Sequence, residues 1–128
     1  MVIDKNFLDA LAAQAKSNPR LRMSYDMRTT PEDQSQRMLN ALEPGTVLPI
    51  HRHRASSETV VLLRGRMDEM FYDDEGVETQ RIHLDASQGV YALTVPIGVW
   101  HSIEVLEPSV IFEAKDGAYA PLSPEDMQ

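Results

Sequence analysis

Gly45-Thr46-Val47-Leu48-Pro49-Ile50-His51-Arg52-His53-Arg54-Ala55-Ser56-Ser57-Glu58-Thr59-Val60-Val61-Leu62-Leu63-Arg64-Gly65 is the stretch on which the reading of this chain turns. Apolar runs over residues 47–53 and 58–63, separated by a short polar loop, predict two strands. Side chains two apart in a strand leave the same face about 7 Å apart, so His51 and His53 point the same way. Two ring nitrogens from there can converge on one ion at about 2.0–2.1 Å each. Glu58 opens the following strand, and its carboxylate can reach back to the same point. Taken singly, these residues say little, since a lone histidine or glutamate is usually a packed or solvated group.

Downstream the pattern continues. Runs at 38–42, 67–72, 80–84, 90–95, 101–106 and 109–115 join the two above, and turn residues separate them: Glu43-Pro44-Gly45, Arg64-Gly65, Asp73-Asp74-Glu75-Gly76, Ser87-Gln88-Gly89, Pro96-Ile97-Gly98 and Glu107-Pro108. About eight short strands at regular spacing argue for an all-β sandwich or barrel. Upstream, Asp4 can cap a short helix whose Phe7, Leu8, Leu11, Ala12 and Ala15 share a face, and Asn18-Pro19 ends it. The expected organisation is that helix, residues 1–19, packed on a barrel of residues 20–128. The polar stretch 20–36 reads as a loop with one helical turn at Thr30-Pro31-Glu32-Asp33, and Ser123-Pro124-Glu125-Asp126 as another capped turn.

Composition narrows the chemistry. The 128 residues suffice for one domain with a real core. With no cysteine, thiolate zinc sites, Fe–S clusters, disulfides and thiol nucleophiles are excluded. A net charge of −8 disfavours nucleic acid and anionic membranes as partners. The N-terminus lacks a basic segment followed by an apolar run, and no apolar stretch is long enough to span a bilayer, so a cytoplasmic protein is expected. There is no Gly-rich phosphate loop and no nucleophile elbow. The Asp73–Gly76 cluster lacks the later ligands of a calcium loop.

From Gly45 the spacing is five residues to His51, one to His53, four to Glu58 and six to Gly65. This resembles the first motif of the cupin superfamily without a gap. At average residue usage such a match arises by chance in on the order of one in 10⁵ chains. Gly89, Pro96, Gly98 and His101 follow in the order of the second cupin motif, with six residues rather than five between Gly89 and Pro96, and with Val105 where the motif carries Asn. Together with Arg20-Leu21-Arg22, residues 36–42, Trp100-His101-Ser102 and residues 112–117, the chain resembles the WbuC-type cupin metalloproteins, which are often associated with surface-polysaccharide gene clusters. The resemblance implies a small jelly-roll β-barrel and one divalent transition-metal ion (Fe, Mn, Zn, Ni or Co). It makes His51, His53, Glu58 and His101 the ligands. It supplies no substrate.

Four protein ligands on a six-coordinate ion leave two positions for a small-molecule ligand or substrate, whereas a structural site is closed by four ligands in a tetrahedron. Three readings follow: a metal-dependent enzyme, isomerase or oxygenase, acting on a small polar, sugar-like substrate; a non-catalytic binding module anchored by the metal; and a purely structural ion. Tyr25 and Glu113 are the candidate acid–base groups. Gln36, Arg37, Asn40, Tyr25 and Tyr91 are candidates to contact a ligand, Arg52 and Arg54 to face outward, and Trp100 to turn away from the histidines. His83 belongs to no motif. A homodimer is expected, because the sheet edges need cover.

Overall fold

The computed structural model describes residues 1–128. Helix α1 (Lys5–Ser17) begins at Asp4, whose side chain accepts from the Phe7 backbone N–H at 2.9 Å. It ends at Asn18, whose successor Pro19 cannot continue the ladder. Six antiparallel strands follow: β1 (Arg22–Asp26), β2 (Ser35–Leu42), β3 (Glu58–Tyr72), β4 (Glu78–Asp85), β5 (Ala92–Val95) and β6 (Trp100–Asp116). They run in the order β1-β2-β6-β3-β4, with β5 on the free edge of the first part of β3. The sheet curls into a barrel-like jelly roll without a continuous closing ladder.

Two long strands organise the fold. β3 and β6 pair from Glu58↔Lys115 to Tyr72↔Trp100, with register shifts at Leu62/Arg64, Arg64/Arg66 and Arg66/Met67. Each reads as two strands in the sequence, because Gly65 and Pro108 look like turns. The structure makes them bend points instead. Before the bend β3 lies between β6 and β5, and after it between β6 and β4.

Alternation sorts side chains between the two sheet faces. The inner face carries the larger core: Leu42, Val60, Leu62, Met67, Leu84, Val105 and Ile111. On the outer face Leu39, Ala41 and Val110 pack against Leu11 and Ala15 of α1. Burying a leucine such as Leu11 or Leu39 stabilises by roughly 1.5–3 kcal/mol.

Three local expectations change. Residues 22–26 are a strand, not loop: β1 pairs with β2 from Arg22↔Leu42 to Asp26↔Met38. Its residues are half-buried or exposed, so backbone pairing rather than apolar alternation holds it. Residues 29–33 form a turn rather than a helix, with Asp33 accepting from the Thr29 N–H at 2.7 Å. Residues 47–53 are an extended arch, bridged to β6 only at His51. No helix is long and apolar enough to cross a membrane.

Candidate metal centre

The arch from Pro44 to His53 meets the start of β6 through a reciprocal backbone pair. The His51 N–H donates to the His101 carbonyl at 3.1 Å, and the His101 N–H to the His51 carbonyl at 2.8 Å. This fixes two histidines, fifty residues apart, with ring centroids 4.2 Å apart. The His53 carbonyl accepts from the Gly98 N–H at 2.8 Å, so the turn before His101 also holds the second half of the His-x-His pair. The His53 ring stands 5.2 Å from that of His51 and 5.4 Å from that of His101.

One nitrogen from each ring lies within 4.8 Å of the others, a group that could hold a metal ion. A backbone carbonyl only accepts, so the contacts of His51 Nδ1 with Pro49 O and of His101 Nδ1 with Val99 O, both 2.9 Å, place the proton on Nδ1. Both Nε2 lone pairs are left free. Burial lowers the pKa of both rings, that of His101 to about 4. Neutral imidazoles are what a metal requires.

Glu58 joins them, with Oε2 3.2 Å from His53 Nε2. Behind it is a second carboxyl, Glu113, on the inner face of β6. Burial raises the Glu58 pKa, but the bonds from His53 and Glu113 outweigh it and hold the group below its ordinary range. Glu113 is pushed up to about 8, first by burial and then by the charge of Glu58. The two carboxyls therefore share one proton, which Glu113 keeps, while Asn40 Nδ2 donates to Glu113 Oε1 at 2.7 Å. The Lys115 ammonium approaches His53 Nδ1 at 3.2 Å.

These groups border a cavity of about 260 Å³ inside the barrel, somewhat below the usual roughly 300–1,000 Å³ of drug-sized sites. Of the expected contact residues, Asn40 and Glu113 line it. Tyr25 does not: its ring packs edge-on against Phe7, 5.0 Å away, beside α1. Tyr91 is 58% exposed, Arg37 pairs with Asp33, and Gln36 donates to the Gly117 carbonyl. Among the charged lining residues, Glu69 and Lys115 escaped the sequence reading, and Arg22 fell in the stretch read as loop. Glu69 falls within the run 67–72, read as a strand without a role for its carboxylate. The only available signal was that Glu69 shares the parity of Met67 and Phe71 in an alternating strand.

The outward-facing arginines have a purpose. Arg52 Nε at 3.0 Å and Arg54 Nε both bind Asp126 Oδ1, and the Arg52 N–H donates to the Asp126 carbonyl. Arg52 also lies 4.2 Å over the Trp100 ring, whose Nε1 donates to Asp74. One carboxylate thus pins both residues that alternate with His51 and His53. Asp126→Ala is expected to weaken Co(II) binding about tenfold, as loss of a group supporting the ligands typically does. Competition against a chelator measures this.

The carboxyl pair sets a pH signature in metal-free protein. Glu113 is protonated in the fold but not in the unfolded chain, so its contribution is complete below about 4.5 and lost as pH rises toward about 8. His101 acts oppositely, losing stability as pH falls from 6.5 toward about 4. Between those ranges, from near 6.5 upward, the carboxyl effect prevails. Urea unfolding with chelator present should show stability falling from pH 6.5 to 8. Glu113→Gln should remove on the order of 1 kcal/mol of that fall.

Comparison with known proteins agrees with the fold. The family described as Domain of unknown function (DUF6016) matches residues 3–84. No protein of curated function matches. The chain is similar in structure to a cupin 2 domain-containing protein from Halorhodospira halophila: 16% identity, TM-score 0.62, covering 80% of this chain and 70% of that one. It is also similar to the oxalate decarboxylase of Lactobacillus farciminis, solved with formate: 17% identity, TM-score 0.61, 80% and 30% coverage. The Bacillus subtilis oxalate decarboxylase, described with Mn(II) centres, gives 18% identity, TM-score 0.59, 83% and 27% coverage. The chain therefore has the cupin fold, and spans about a third of the length of the decarboxylases.

Proposed function

We propose that this chain, which belongs to the DUF6016 family, holds one divalent transition-metal ion on His51, His53, Glu58 and His101 and acts through it on a small polar molecule. One observation carries this reading: three imidazoles and a carboxylate meet at a cavity rather than in a sealed core. The donor set suits the ion, since neutral nitrogens and an ionised oxygen serve Mn, Fe, Co, Ni or Zn. When bound, the ion would supply Lewis-acid or redox chemistry to a ligand oxygen. The chain's own residues do the rest. Backbone carbonyls orient His51 and His101, Asp126 braces the arch, and His53 Nε2 and Glu58, bonded to each other in the absence of an ion, would turn to it.

A sugar-derived substrate and a kinship with the WbuC-type proteins, hence a role in surface-polysaccharide synthesis, are the finer form of this proposal and rest on the motif resemblance. A non-catalytic binding module is the second reading. It is favoured by the Glu113 proton, which is engaged with Glu58 and bordered by Asn40 rather than free. Elemental analysis of the purified protein tests the common part, with about one ion per chain expected, as for a site of four protein ligands. No metal as purified and none after reconstitution would overturn it. Turnover of a panel of sugars and small acids by the metallated protein then separates enzyme from binding module.

A further inference from the structure

Glu69 has no place in the metal centre and no partner in the fold. It lies on the inner face of β3, paired with Ile82 of β4 and Ile103 of β6, two residues from the fully buried Met67. It is 2% exposed, and its Oε2 is buried without any hydrogen bond. Yet it borders the same cavity as the three histidines and Glu58. A leucine would fill this position without the desolvation penalty of an unmade hydrogen bond. A buried carboxyl with an open oxygen on a cavity has its partner in what enters that cavity.

We propose that Glu69 is a specificity-determining residue: its carboxyl receives the hydroxyl of a small hydroxy acid whose carboxylate lies at the metal site. This rests on the metal reading above. The cavity's charges set the orientation. Arg22 and Lys115 are its only cations, and Lys115 stands at the histidines. An anionic end therefore belongs with them and the ion. Glu69 offers no welcome to a second anion, because the ionised Glu58 already acts on it through its charge. Burial first, and then the charge of Glu58, raises its pKa well above the ordinary range, which favours the neutral acid. A neutral carboxyl both donates and accepts, and so does a hydroxyl.

Calorimetry on the full chain loaded with Mn(II) tests this, using ω-hydroxy acids of three to five carbons against the same acids without the hydroxyl. A terminal hydroxyl separates the Glu69 contact from chelation at the ion. In the wild type at least one hydroxy acid should bind about tenfold more tightly than its counterpart, the scale of one good hydrogen bond to a buried group. In Glu69→Leu the preference should fall below about twofold with manganese content unchanged. The melting temperature should rise by about 3–6 °C, since a costly group has been removed. Glu69→Met serves the same comparison should the branched side chain prevent folding. A preference that survives in the variants, wild-type binding indifferent to the hydroxyl, or no binding of any acid overturns the assignment. Manganese content separates the two levels: a wild type that takes up no metal removes the underlying reading, whereas a metallated wild type without the preference removes only the role of Glu69.

Discussion

A His51→Ala, His53→Ala double variant should purify folded and with less than about a tenth of the wild-type metal, because two of four ligands are gone and an ion held by Glu58 and His101 alone has no chelate left on the arch. The fold should survive because neither ring belongs to the apolar clusters on the two sheet faces. The backbone bridge between His51 and His101 needs no side chain. Glu58 loses the bond to His53 Nε2 and keeps only that to Glu113, and losing one bond to a buried charged group costs roughly 1–3 kcal/mol. The metal-free variant should therefore melt somewhat below metal-free wild type. Chelator should lower the melting temperature of the wild type, since an ion that binds only the folded state stabilises it by mass action, and should leave the variant unmoved. Equal metal content in the two proteins would place the ion elsewhere.

The histidine pair of the candidate site was legible in the sequence because strand alternation is local: His51 and His53 had to share a side wherever the arch lay. Glu58 and His101 entered through the spacing of two motifs, and the structure brings both to the same place. What was illegible was set by distant partners. Asp126 lies 74 residues from Arg52 and 72 from Arg54, so the brace on the arch left no pattern near the histidines. Asp68 is bonded to Arg81 and His83 of β4, thirteen and fifteen residues on, so nothing beside Asp68-Glu69 marks them as buried. β1 escaped because an edge strand with exposed side chains carries little apolar alternation. Gly65 and Pro108 misled most, because a turn and a bend inside a long strand use the same residues.

Gly65→Ala should be among the most damaging single substitutions, costing about 4 kcal/mol or more. Gly65 has φ +94°, and an added Cβ would overlap the Pro108 carbonyl oxygen and the Ser109 hydroxyl and lie 2.6 Å from Ser109 Cα. The neighbours cannot yield. Ser109 is 2% exposed, and its hydroxyl accepts from the Arg66 N–H at 3.0 Å while donating to the Glu107 carbonyl at 2.8 Å. Moving it undoes the bend in both long strands. Gly117→Ala is the control. Its φ of +95° is nearly the same, but nothing lies within 4 Å of the added Cβ, so it should cost only the roughly 1–2 kcal/mol of a left-handed residue. Urea unfolding of both variants isolates the steric part as their difference. Equal losses would mean that φ alone matters at Gly65. A larger loss at Gly65 assigns the last glycine of the His-x-His motif to the backbone rather than to metal chemistry. Only a strand that bends there can send Glu58 and Val60 along one half of the barrel and Met67 and Glu69 along the other, both facing the cavity that the histidines border.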